Sequence, residues 1–385
     1  MMKKLKYFAI VVACCMAVMS CVLPSDEPEF KPSQDAKHTS LVYMMADNNL
    51  GYVYHFDDSN IYDMCRALID KNVNGRLMIM LSQKNSSPKL LEILTNENGE
   101  CSIDTLKVYD GCLTTDTATL GQVMRDVHEI SPTDSHGLIV WTHANGWLPQ
   151  YYFYKAPAKA PSSIGLEGTE QRTMDLDMFA KTLQPYHFDY IIFDACLMAC
   201  VEVAYELRNV CDYIVATPTE TMGAGFPYYD IVPMIFADTI DYVGIAKAYE
   251  KKYIKPAGEQ GSITLIETKY LDELADVCKQ IVTGRDADIA AIRKTALQAY
   301  DRKTPHLYYD LDHYMMQLAD ENQYALLQEA LNKVVPYKAA SSTFLGISIW
   351  HYSGLSSYIP GVVNDKVVIN YYRSLQWYDS VYRNR

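Results

Sequence analysis

Residues 190–196 read YIIFDAC: a continuous apolar run, then an aspartate and, two residues on, a cysteine. A strand that is apolar at consecutive positions is covered on both faces, as in parallel sheets flanked by helices. Four more runs of this kind occur: SLVYMM (40–45), RLMIML (76–81), GLIVWT (137–142) and YIVAT (213–217). Between them lie segments with helical spacing, IYDMCRALID (61–70), TATLGQVMRDVHEI (117–130), MDLDMFAKTLQ (174–184) and VEVAYELRNV (201–210). The alternation predicts right-handed crossover units and an α/β fold with a mostly parallel sheet flanked by helices. Segment 89–109 instead predicts a hairpin, with Asn98-Gly99 in its turn.

Beyond residue 236 helical spacing dominates, in 241–254, 271–282, 289–297 and 324–335, interrupted by two strand candidates, ITLIE (263–267) and FLGISIW (344–350). The chain is therefore read as an α/β core over 39–235 and a helix-rich part over 236–385 that returns strands to the core. Before the core, residues 1–20 have a lysine-rich start and an apolar stretch too short for a membrane span, the form of an export signal. They run into Val18-Met19-Ser20-Cys21, which resembles the lipobox of bacterial lipoproteins; Val11-Val12-Ala13-Cys14 also fits it. The expectation is an exported lipoprotein of the cell envelope, at the outer membrane or cell surface, lipidated on Cys21. Residues 21–38, rich in Pro, Ser and charge, read as a tether.

A net charge of −13 leaves no basic stripe for phosphates and argues against a nucleic-acid partner. Ten cysteines contain no C-x-x-C pair and no His/Cys cluster at zinc spacing, so no metal ligand set is assigned. Export permits disulfides; Cys101 and Cys112 are the first pair to test. The 31 tyrosines suit ring packing with hydrogen-bonded hydroxyls, and a glycan-stacking surface is the alternative.

In an open parallel sheet, functional groups gather beyond the carboxyl ends of the strands. That rule selects Asp47-Asn48-Asn49, His143-Ala144-Asn145-Gly146, Cys196 and Pro218-Thr219-Glu220. A cysteine attacks as thiolate, and the positive end of a helix beginning near Ala199 or Cys200 would favour that form. An imidazole beside it would hand a proton to the departing amine. His143 is the first candidate; His351, which also follows a strand-like run, is the second. Cys200 reads as buried helix packing.

LVYMMADNNL (41–50), LIVWTHANGW (138–147) and FDACLMACVEVAYELRNVCDYIVATPTET (193–221) together resemble the clostripain family of cysteine peptidases, in the group that also holds caspases, gingipains and legumains. Caspases keep their histidine about 50 residues before the cysteine; His143 precedes Cys196 by 53. The resemblance, spanning roughly residues 40–230, implies a caspase-like fold and peptide-bond hydrolysis through an acyl-enzyme on a His143/Cys196 dyad. By the same resemblance the backbone N–H groups of Ala144 and Cys196 hold the oxyanion. Asp194 would be the floor of the pocket for a substrate Arg or Lys, with a cap on the next helix as its alternative role. Relatives usually carry glycine where Ala144 stands, and some carry an acid where Ala224 stands. Some use calcium, and no acidic loop here has EF-hand spacing. Relatives are often cut between the catalytic strands, which singles out residues 148–173, with Arg172 and with Lys155 and Lys159 as self-cleavage sites. The partners implied are proteins or peptides with Arg or Lys at P1. The competing reading is a catalytically silent surface lipoprotein that binds peptide or glycan.

Overall fold

The five apolar runs form five neighbouring parallel strands at the centre of one sheet. The computed structural model describes residues 30–33, 36–150 and 163–383. The export segment, Cys21, Lys155 and Lys159 lie outside the described residues. Numbered along the chain, the sheet strands are β1 (His38–Met45), β2 (Arg76–Ser82), β3 (Lys89–Thr95), β4 (Cys101–Val108), β5 (Ser135–Trp141), β6 (Phe188–Asp194), β7 (Cys211–Ala216), β8 (Ser262–Glu267) and β9 (Tyr337–Ala340). Their order across the sheet is β9-β8-β7-β6-β5-β1-β2-β3-β4, with β3, β4, β8 and β9 joined antiparallel at the two edges.

Consecutive strand residues face opposite sides, and both sides are covered. Val42, Met44, Ile139, Trp141, Tyr190 and Ile192 pack against helices α1 (Phe56–Asp70), α5 (Tyr228–Ile235) and α6 (Tyr242–Tyr253). Tyr43, Met45, Leu138, Val140, Ile191 and Phe193 pack against α2 (Thr117–Ile130), α3 (Leu176–Leu183), α4 (Val201–Leu207), α7 (Leu271–Val282) and α8 (Glu321–Val334). At about 1.5–3 kcal/mol for each fully buried large apolar side chain, this double coverage explains why the runs are unbroken.

Three expectations are modified. FLGISIW is not a sheet strand: Thr343–Phe344 and Ile347–Ser348 form a two-residue hairpin of their own, turned by Leu345 (φ 42°) and Gly346 (φ 91°). The sheet edge is built instead by β9, whose YKAA carries too little apolar pattern to be read beforehand. Cys101 does not meet Cys112; its thiol and that of Cys65 on α1 hydrogen-bond each other, which pushes the Cys65 thiol up and Cys101 down. Cys200 is fully buried, as expected.

The chain order reverses between β1, which turns towards β2, and β5 on its other side. This switch point opens a crevice beyond the strand ends, and the candidate residues lie there.

Candidate active site

His143, Asp194 and Cys196 leave two adjacent strands at one edge. The β5–β6 register pairs Trp141 with Asp194, and the Thr142 N–H continues it onto the Asp194 carbonyl at 3.3 Å. Two residues past Trp141 is His143; two past Asp194 is Cys196. From the neighbouring end of β1, Asn49 Oδ1 accepts from His143 Nε2 at 2.8 Å. Because an amide oxygen only accepts, that bond keeps the imidazole proton on Nε2 and the lone pair on Nδ1. Burial depresses His143 from its usual 6.5 to about 4, so the ring is neutral at ordinary pH.

Cys196 is partly exposed and sits before a turn in which Leu197 takes φ 63°. A non-glycine residue in that region costs on the order of 1 kcal/mol, and the Leu197 N–H bond to the Thr219 carbonyl at 2.8 Å helps hold it. The cysteine sulfur accepts from the Thr221 N–H at 3.3 Å. The following helix begins at Val201 with Cys200 as its N-cap, so the N–H on the sulfur comes from the loop after β7 and not from α4. Burial pushes the thiol up to about 12; Thr221 and Arg302 pull it down, while Glu220 and Asp194 push it up. The resting pair is thus neutral thiol and neutral imidazole, not an ion pair.

Among the described residues, neither the Ala144 nor the Cys196 N–H donates a hydrogen bond. Alanine suffices at 144 because the left-handed conformation falls on Gly146 (φ 57°), two residues later. The Ala144 turn is pinned by the returning arm of the 148–173 segment: Asn145 N–H bonds Ser163 O at 2.9 Å and Gly165 N–H bonds His143 O at 3.0 Å.

Asp194 is buried and does not cap α4. Its Oδ2 accepts from Phe226 N–H at 3.0 Å and from the Tyr228 hydroxyl at 2.9 Å. Burial raises it to about 6, against the lowering effect of those two donors and of the Lys252 ammonium. Gly225 (φ 70°) makes this approach possible, since a Cβ there would lie 2.5 Å from Asp194 Oδ2. Asn60 closes the same wall: it accepts from Trp141 Nε1 at 2.8 Å and donates to the Ala224 carbonyl at 3.2 Å.

His351 is engaged elsewhere. Its Nε2 lies 2.7 Å from Asp312 Oδ2 and 3.6 Å from Asp310 Oδ1, and the bond to Asp312 raises its pKa. Asp310, Asp312 and His351 have the spacing of metal ligands, but their oxygens already receive donors from Ser353 N–H, His313 N–H and Gln328. Lys338 adds a positive charge beside both carboxylates. The group is thus tied into a hydrogen-bonded network away from Cys196.

Asn49 lay on a strand end picked out from the sequence, but its bond to His143 did not follow from that. Thr221, Gly225 and Tyr228 were missed as supporting groups; the TMGAG turn, with two glycines in three residues, was the available signal.

A sequence model of the clostripain family matches residues 42–382. The chain belongs to the clostripain family. Among solved structures it is similar to an inactive zymogen C11 protease from Parabacteroides distasonis, at 32% identity and TM-score 0.78, covering 90% of this chain and 99% of that one. It is also similar to a secreted C11 cysteine protease of Bacteroides thetaiotaomicron, at 26% identity and TM-score 0.80, with the same coverage. A secreted C11 cysteine protease from Bacteroides thetaiotaomicron in complex with an irreversible peptide inhibitor matches at 27% identity and TM-score 0.76, again over 90% and 99%. No curated protein matches. The fold is the caspase-like fold of these C11 proteases, and the protein is a cysteine peptidase.

Proposed function

We propose that this clostripain-family peptidase is an endopeptidase that cleaves after Arg or Lys through His143 and Cys196. The observation that carries the reading is the β5–β6 register, which delivers an imidazole, a carboxylate and a thiol to one strand edge. Substrate enters with its scissile carbonyl against Cys196. The thiol proton passes to the neutral imidazole as sulfur attacks, and the Ala144 and Cys196 N–H groups receive the oxyanion. His143 then protonates the departing amine, and water releases the acyl-enzyme.

Asp194 supplies the preference. A buried carboxylate gains a charge-assisted partner from a guanidinium or ammonium, and an apolar P1 side chain would leave it unmatched. A related Bacteroides thetaiotaomicron clostripain, at 27% identity over 56% of this chain and TM-score 0.50, is described in complex with the peptide inhibitor BTN-VLTK-AOMK, whose last residue is lysine. Ala224 adds no second carboxylate beside Asp194, and the Lys252 ammonium acts on the one that is there.

Self-cleavage after Lys155 or Lys159 would cut the loop whose returning arm bonds the His143–Asn145 turn. The export signal, the Cys21 anchor and an envelope location belong to the same proposal, supported by a relative described as secreted. A fluorogenic Lys or Arg peptide assay on the wild type beside Cys196→Ala tests the central claim. Hydrolysis by wild type alone supports it; none by either rules out cleavage after Arg or Lys. Intact masses of the same two proteins test self-cleavage, and identical full-length chains would rule it out.

A further inference from the structure

We propose that Arg302, on the segment 298–309 of the C-terminal part, is a positioning residue for the Cys196 thiol and acts on it through Glu220. This rests on the reading of Cys196 as the nucleophile. Arg302 holds Glu220 with both prongs of its guanidinium, Nε on Oε1 at 2.9 Å and Nη2 on Oε2 at 2.6 Å. Glu220 immediately precedes Thr221, whose N–H is on the Cys196 sulfur and whose hydroxyl donates to the Ala195 carbonyl at 2.9 Å. The ion pair therefore fixes the residue next to the one that touches the sulfur.

The same segment reaches the histidine side. The Tyr308 hydroxyl donates to the Asn145 carbonyl, two residues beyond His143. The Asp301 carboxylate accepts from the Leu307 N–H at 3.2 Å and the Tyr308 N–H at 3.4 Å, so the segment closes on itself between its two attachments. One stretch of the C-terminal part thus holds the loops after β5 and after β7.

Charge gives the arrangement a direction. The charged and titratable groups facing Cys196 are Glu220 and Asp194, which oppose thiolate, Arg302, which favours it, and the Tyr249 phenol; His143 leaves the adjacent strand, and Lys303 stands beside Glu220. Without Arg302 the Glu220 carboxylate would lose its two-pronged partner and keep only the Lys303 charge beside it. Only a planar, two-pronged cation offsets that charge and fixes the loop at once.

The test is the pH dependence of Cys196 alkylation by iodoacetamide, read on its peptide by mass spectrometry, which needs no turnover. Arg302→Gln is expected to raise the midpoint by about one unit, slowing alkylation about tenfold at neutral pH. Glu220→Gln is expected to lower it, and the double variant to return near wild type. Arg302→Lys should restore the charge and so most of the midpoint, but not all of kcat. A brace without electrostatic effect would move all the variants the same way or none of them, and either result overturns the proposal. If Arg302→Gln does not fold, Glu220→Gln decides alone, because a raised or unchanged midpoint contradicts the mechanism. Wild type that cleaves no Lys or Arg peptide, while the midpoints move as expected, would sink the proposed function and leave this inference standing.

Discussion

The five central strands and the C-terminal stretch from Gln298 to Tyr358 make opposite uses of polar groups. The central strands are apolar along their length and keep their reactive residues for the last position and the two that follow. Burial then pushes each group towards neutrality: His143 down, Cys196 and Asp194 up. The C-terminal stretch has little regular strand, and its charged groups are paired: Arg302 with Glu220, His351 with Asp312, and Asp301 with its own backbone. One region carries groups that burial shifts towards their neutral forms and that form no ion pair among the described residues. The other supplies the compensation that keeps their loops in place.

This division should be visible in the size of mutational effects. Cys196→Ala is expected to lower kcat/KM on a Lys or Arg peptide by more than about a thousandfold with the folded state intact by circular dichroism. Next, His143→Ala should cost about 10²–10⁴ in kcat while Cys196 can still be alkylated, since the base is lost and the thiol remains. Asp194→Asn should reduce discrimination between Lys and norleucine at P1 by about a hundredfold, measured as the ratio of the two kcat/KM values. An unchanged ratio would remove Asp194 from the pocket.

Stability against pH sharpens the contrast further. The folded state depresses His143 from 6.5 to about 4, so the unfolded chain takes up that proton first, and stability present above pH 6.5 is lost as pH falls towards 4. At 1.36 kcal/mol per unit this amounts to about 3 kcal/mol. Asp194, raised from 3.8 to about 6, works in the opposite sense, stabilising the fold below pH 4 and losing that contribution as pH rises through 6. Denaturant unfolding at pH 7.5 and 4.5 should therefore show His143→Gln losing less on acidification than wild type, and Asp194→Asn losing more. The smallest effect is expected in the C-terminal stretch. Tyr308→Phe removes one hydrogen bond to Asn145 and should cost about 1 kcal/mol and a few-fold in kcat. A loss as large as that of His143→Ala would break the division between the two regions.

Much of the core was legible because its signal is local. Double-faced burial writes itself as YIIF or LIVW, and the end of each such run marks where the crevice must lie. His143 and Cys196 could be picked out that way, whereas the role given to Asp194 came from the clostripain resemblance. The C-terminal stretch was not legible on the same terms. FLGISIW has the composition of a strand, yet Leu345 and Gly346 turn it back within two residues, and the sheet edge it was expected to fill is taken by YKAA. The pairing of Cys101 with Cys65 instead of Cys112 depends on where α1 crosses the hairpin, which neither segment states.

By itself, then, the sequence determined the parallel sheet, the edge on which its functional groups gather and the clostripain resemblance. Those follow from the period of burial and from residues adjacent in the chain. Only the tertiary structure decided that Asn49 orients His143, that Thr221 touches the sulfur, that Gly225 lets backbone close on Asp194 and that Arg302 answers Glu220. Each of these is a contact between residues 25 to 94 positions apart, and such contacts depend on how packed layers bring distant loops together, which periodicity along one segment does not encode.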